Sequence, residues 1–317
     1  MVAMATERAR RGRPSWKRHS SGTFYLFVSP WVLGFALLTA LPLGYALAIS
    51  LTNFNGRSDR WRWVGLRNYA ELMGDAEAIA SLVRTLAYTA IAVPLMVAGG
   101  LGLAVLLNQR LKAVGLFRTI FFLPSVVPIV AMAIMWKLIF NRDAGILNAI
   151  LEKISIGPIA WLVDPNAFYA LIILTLWGLG GGMVIMLAAL QGVPAELEEA
   201  ARVDGATRWH VFRHVTVPII SPVIFFQVVT GIIASLQIII QPLLLAQTGQ
   251  VGNVGEVPET THLYMVQVYQ EFFVNSRYGY GSAMLFVFFL VILAITLFVQ
   301  RSSRLWVHYT VDREADR

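Results

Sequence analysis

Six stretches of this chain run long enough to cross a bilayer without one Asp, Glu, Lys or Arg. They are Phe24–Ser50, Thr85–Gln109, Thr119–Trp136, Pro165–Ala195, Val223–Ala246 and Tyr278–Gln300, the third continuing through Leu138–Phe140 after Lys137. A hydrocarbon layer about 30 Å thick requires roughly 20 consecutive apolar residues in a helix. The fold class expected is therefore all-α and integral to a membrane, with six transmembrane helices. Composition agrees: only 14% of the 317 residues are charged, where soluble domains carry about 25%. Lipid has to solvate much of the surface. The first window is too long and too late for a cleavable leader, and it lacks a convincing small-residue cleavage site.

Basic residues set the expected orientation. The N-terminal tail, the loops after the second and fourth windows and the C-terminal tail together hold sixteen Lys and Arg, against seven in the intervening loops. Arg84 and Lys137 fall near helix ends, where long side chains reach toward water. The excess places both termini in the cytoplasm. The expected organisation is a basic tail over residues 1–23, a membrane domain over 24–300 and a C-terminal tail over 301–317. The net charge of +7 reads as this topology signal, with no nucleic-acid partner. The absence of cysteine excludes disulfides, thiolate metal sites and a Cys nucleophile.

Pro42, Pro94, Pro124, Pro128 and Pro242 should interrupt helices, which membranes tolerate where neighbours re-satisfy the freed backbone groups. Gly178, Gly180, Gly181 and Gly182 permit either close helix packing or local unwinding along a ligand path.

The loop over residues 192–218 is the most informative segment. Pro194 suits a first helical turn, Glu196 and Glu198 favour its positive end, and Glu198 and Arg202 are spaced for a surface pair. Asp204-Gly205 breaks the run, with Asp204 expected to cap a second short helix and Gly205 to supply a positive φ. Ala200 and Ala201 allow close approach, and Trp209 and Phe212 offer apolar anchors. Composition alone leaves two readings, a docking element and an ordinary connector.

The spacing Glu199-Ala200-Ala201, then Gly205, then Val215-Thr-Val-Pro218 resembles the EAA loop of bacterial ABC importer permeases. Val64-Gly-Leu-Arg-Asn-Tyr-Ala-Glu-Leu72, Arg118-Thr-Ile-Phe-Phe-Leu-Pro124, Trp136, Trp161–Asp164, Trp177, Leu187-Ala-Ala-Leu-Gln191 and Gly279-Tyr-Gly-Ser-Ala283 extend the likeness to the carbohydrate-uptake permeases. It resembles the subunit like the larger maltose permease or its glycerol-phosphate and multiple-sugar counterparts. The chain lacks that maltose subunit's extra N-terminal helices and its large external insertion. It also reads Ile239-Ile240 and Ala246-Gln-Thr-Gly-Gln250 where such permeases carry Phe-Asp and Thr-Gly-Gly-Gly-Pro.

The resemblance implies a type I importer permease in a bacterial inner membrane. It implies a second permease, two ATP-binding subunits and an extracytoplasmic solute-binding protein as partners, and a sugar or sugar-like solute. Glu199, Ala200, Ala201, Asp204, Gly205 and Ala206 are then the ATPase-coupling residues. ATP and Mg belong to the partner subunits. This chain has no P-loop, since none of its four lysines follows a glycine. Thr175, Trp177, Gly178, Gly182, Ser235, Gln237 and Gln241 are the candidates for the solute path, although polar groups inside a bundle also serve helix–helix bonds. An integral-membrane enzyme and a secondary transporter are the alternatives. His210 and His214 lack the Glu of a zinc motif, no Gly-x-Ser-x-Gly is present, and the windows hold no ionisable group for ion coupling.

Overall fold

The computed structural model describes residues 21–56, 61–109, 112–246 and 256–308. Residues 1–20 of the basic tail, Arg57, Arg60, Arg110, residues 247–255, Arg313 and Arg317 lie outside the described residues, so part of the basic asymmetry does too. The chain divides into two units, Met1–Ala48 and Ile49–Arg317.

The first unit holds α1 (Ser21–Phe35), a π-turn (Ala36–Ala40) and most of α2 (Leu41–Ser50). The π-turn closes with the Leu41 N–H donating to Ala36 O, and Pro42 comes next. A proline has no N–H to give, and its ring collides with the carbonyl four residues back. The widened turn accommodates it, and the helix continues.

The second unit begins with α3 (Arg67–Gly74) and α4 (Ala76–Leu107). Asp75 caps α4 through its Oδ1, which accepts from Glu77 N at 3.0 Å and Ala78 N at 3.1 Å. Pro94 sits within α4 without ending it. Then come α5 (Val114–Phe122), α6 (Ile129–Ile139), α7 (Ile146–Lys153), α8 (Asn166–Trp177) and α9 (Gly180–Gln191). The short α10 (Ala195–Val203) and α11 (Arg208–Val211) precede a second π-turn (Phe212–Thr216) and α12 (Val217–Leu236). The remainder is α13 (Ile240–Leu245), α14 (Tyr264–Tyr269), a third π-turn (Gln270–Val274) and α15 (Tyr278–Ser303).

Six spanning helices were expected; among the described residues four are continuous, Phe24–Ser50, Ala76–Leu107, Arg208–Leu236 and Tyr278–Ser303, and counting each bent pair as one span gives six. The other two windows are broken pairs. α5 with its 3-10 extension meets α6 at 102°, and α8 meets α9 at 45°. Prolines cause the first break: Pro124 opens the 3-10 turn, Val127 is extended ahead of Pro128, and α6 starts after it. The fifth window was also placed too far along. Its continuous helix runs from Arg208 to Leu236, because a charge-free window tracks charge rather than helix. Pro242 lies near the start of α13, where its missing N–H costs nothing.

α4 is the axis of this unit. Tyr88 and Ala92 pack with Leu171, Leu174 and Phe140, while Ala104 and Leu107 pack with Met183, Met186, Leu190 and Ile220. At its first turn Ala78 joins Tyr264, Tyr280 and Met284. Polar ties fix the segment from Glu256 onward at that end. Asp164 accepts from Glu259 N at 2.7 Å and from Thr260. Arg84 pairs with Glu77 at 2.6 Å and Glu259 at 2.9 Å. Arg277 pairs with Glu71 and with buried Glu271. Lys137 donates to the Ala246 carbonyl, turning toward protein instead of reaching outward.

Candidate functional site

The loop between α9 and α12 folds as helix, turn, helix, and the hydrogen bonds explain its spacing. The Ala206 N–H donates to Ala201 O at 3.0 Å and the Gly205 N–H to Arg202 O at 3.0 Å. These two bonds form a Schellman closure, in which the residue after the helical end takes positive φ. Gly205 has φ +84°. A glycine four residues beyond Ala201 is therefore what the closure demands, and Ala201 and Ala206, the residues at its two ends, are both half-buried.

Two capping expectations change. Pro194 lies one residue ahead of α10, in an extended conformation. Asp204 ends α10 instead of starting α11; the cap of α11 is Thr207, whose Oγ1 accepts from His210 N at 3.3 Å. Asp204 is already committed to the Schellman turn. Arg202 and Glu198 pair at 3.4 Å, as their spacing suggested. Glu199, Ala200, Leu197, Val203 and Trp209 are exposed, Val203 at 88%, so the loop presents apolar side chains among charged ones.

A cavity of about 240 Å³ lies between α4, α9 and α12. Its wall is mostly apolar, with Val93, Met96, Gly182 and Met186 in it, and the polar side chains lining it are Gln227 and Thr230. Gln227 Nε2 donates to Gly182 O at 3.1 Å, while the Thr230 hydroxyl donates back to Phe226 O at 2.8 Å. The cavity thus offers an amide oxygen and a hydroxyl oxygen in an otherwise apolar wall. Beside it, a groove of about 610 Å³ is lined by Gly99, Gly102, Phe121, Pro124, Trp177 and Gly180, among others.

The candidate path residues separate. Gly182 lines the cavity. Trp177 lines the groove and stands edge-on to Trp136, centroids 6.0 Å apart. Thr175 bonds Tyr88 Oη at 2.8 Å and Leu171 O at 2.9 Å. Buried Ser235 bonds Thr89 Oγ1 at 3.1 Å and Ile232 O at 3.0 Å. Both hydroxyls are therefore engaged in fastening α8 and α12 to α4. Gly178 ends α8 at the 45° break. Gln237 is exposed at the end of α12, and half-buried Gln241 belongs to α13. Sequence reasoning passed over Gln227 and Thr230. Their signal was a polar pair three residues apart, on one helix face, inside an apolar run.

The glycine run marks both a helix break and a close backbone approach. The helix breaks at Gly178-Leu179, and Gly180 lets backbones meet: a Cβ there would lie 1.9 Å from Phe121 O. Among the described residues no group of three His, Asp or Glu side chains is placed to hold a metal.

Residues 96–307 match the family described as binding-protein-dependent transport system inner membrane component. A probable ABC transporter permease, YesP of Bacillus subtilis, is 35% identical over 99% of this chain and 100% of its own. The lactose transport permease LacF of Rhizobium radiobacter is 31% identical over 93% and 99%. The trehalose/maltose permease MalF of Thermococcus litoralis is 30% identical over 88% and 93%. A chain of a bacterial alginate ABC transporter, solved with an alginate-loaded periplasmic protein, superposes with TM-score 0.76 over 89% of this chain and 94% of its own, at 22% identity.

Proposed function

The chain belongs to the binding-protein-dependent transport system inner membrane component family, and we propose how its described parts serve that role. It is an integral-membrane permease subunit of an ABC importer, a transport component and not an enzyme. Its solute is a sugar or oligosaccharide, a reading supported by relatives named for lactose, trehalose and maltose. Both termini face the cytoplasm of a bacterial inner membrane, a placement motivated by the basic asymmetry. A second permease, two ATP-binding subunits carrying ATP and Mg, and an extracytoplasmic binding protein complete the transporter.

The observation that carries this reading is the α10–α11 turn. Glu199, Ala200, Ala201, Asp204, Gly205 and Ala206 form a closed helix end, flanked by exposed Leu197, Val203 and Trp209. That surface, apolar among charges and held in one shape, suits an ATPase subunit. The solute path runs along the α4–α9–α12 cavity, where Gln227 Oε1 and the Thr230 hydroxyl meet sugar hydroxyls.

Two experiments test it. Proteoliposomes holding the assembled transporter should take up labelled oligosaccharide only with ATP inside and binding protein outside; uptake without ATP contradicts the reading. Ser155→Cys and Val203→Cys, in a chain with no native cysteine, should label from opposite faces, Val203→Cys from the cytoplasm. Labelling of both from one face contradicts the orientation.

A further inference from the structure

A nine-residue helix such as α10 is marginal in isolation, so whatever moves it needs a firm connection to the spanning helices. Among the described residues, besides the chain itself, a side-chain bond makes that connection. The Thr216 hydroxyl donates to Glu198 Oε1 at 3.0 Å. Thr216 is buried at 5% exposure, and Arg202 holds the other carboxylate oxygen, Oε2, at 3.4 Å. The pair lies in a small cleft whose wall includes Val105 and Asn108 from the end of α4, Leu190 from the end of α9, and Val211 and Phe212. A hydrogen bond to an ionised carboxylate is roughly twice as strong as one between neutral groups.

The π-turn sets Thr216 in place. Val217 N–H donates to Phe212 O across the widened turn, and Pro218 follows immediately, the same arrangement as at Pro42. The extra residue turns the preceding backbone by about 100° relative to an uninterrupted α-helix. That rotation fixes which way Thr216 points as it enters α12. Eleven residues further on, about 16 Å along the axis at helical rise, Gln227 bonds Gly182 O inside the cavity. One helix, continuous through Pro222, thus carries the loop at one end and a cavity-lining amide further along.

We propose that Glu198 is a positioning residue, whose bond to Thr216 converts displacement of α10 into movement of α12 and so of the cavity wall at Gln227. This rests on the reading that an ATPase subunit docks on α10, but it separates docking, done by the exposed face, from transmission, done by a part-buried bond to buried Thr216.

The test uses the whole transporter in proteoliposomes and reads two quantities: ATPase recovered with the permease, and solute taken up per ATP hydrolysed. Thr216→Val keeps the shape and removes the donor; Thr216→Ser keeps the donor; Glu198→Ala attacks the bond from the other side. Thr216→Val and Glu198→Ala should retain the ATPase yet lower uptake per ATP about tenfold or more, the scale expected for losing a bond to a charged group. Thr216→Ser should behave as the parent, and the double variant should be no worse than the single ones. Wild-type coupling in Thr216→Val, or additive losses in the double variant, overturns the proposal. Loss of ATPase recovery in Thr216→Val also overturns it, because Thr216 would then serve docking. If Gly205→Val and Ala201→Trp keep both ATPase and uptake, the docking reading itself fails, separately from this one.

Discussion

Gln227 Nε2 lies 3.1 Å from the Gly182 carbonyl oxygen, joining α12 to the first turn of α9 across the cavity wall. The contact ties a spanning helix to the segment that follows the 45° break. A change in that break changes the cavity, and a change in α12 pulls on the break.

Gln227→Ala should therefore lower oligosaccharide uptake about tenfold in the assembled transporter, the upper end of the scale for one lost hydrogen bond. Gln237→Ala, at the exposed end of α12, should leave uptake within about twofold. Initial-rate uptake over a range of solute concentrations checks both. Equal effects of the two changes would remove the cavity from the solute path.

Gly180→Ala tests the close approach of α9 to the chain near Phe121. Its Cβ would stand 1.9 Å from Phe121 O and 2.7 Å from Phe121 C, a backbone clash that no rotamer relieves. The variant should lose about 1–3 kcal/mol or more, read as a fall in melting temperature of the detergent-solubilised chain. Gly102→Ala, with nothing within 4 Å of its Cβ, should be neutral or gain up to about 1 kcal/mol. A tolerant Gly180→Ala would mean the helices pack differently.

Protonation of His262 should loosen the segment over residues 256–269 that packs at the start of α4. Burial lowers its pKa from the ordinary 6.5, opposed by the Glu77 carboxylate and aided by the Arg84 charge. The unfolded segment then binds a proton that the folded one resists, so stability is full above pH 6.5 and declines as pH falls below it. Amide exchange over residues 256–269 should accelerate between pH 7.5 and about 5.5 after correction for intrinsic rates. His262→Gln should flatten that trend. An unchanged pH response in the variant would assign it to another group.

Much of this was legible in the sequence, for identifiable reasons. The windows were readable because lipid rejects unpaired charge, and the Glu199 to Gly205 spacing because a Schellman closure fixes where its glycine must fall. Charge alone did not reveal breaks. Pro124 and Pro128, four residues apart, open a 3-10 turn and an extended Val127 and bend their segment by 102°, whereas the lone Pro94 passes through α4 intact. Asp204 and Thr207 were both eligible caps, and the turn decided by using Asp204. The bonds that Thr175 and Ser235 make to Tyr88 and Thr89 on the neighbouring α4 join residues 87 and 146 apart in the chain, a pairing no local pattern announces.

On the proposed function, the Glu199–Gly205 turn is where an ATPase subunit docks. Val at position 205 has to adopt φ near the observed +84°, a conformation costing an L-residue roughly 1–2 kcal/mol. Ala201→Trp places bulk on a half-buried position at the Schellman closure. Neither lies in a spanning helix, so membrane abundance should remain near wild type. The direct measurement is ATPase co-purification, quantified in the same membranes as permease abundance. Both variants should show normal abundance with at least tenfold less ATPase recovered. Normal recovery of ATPase with both, together with normal uptake, would contradict it.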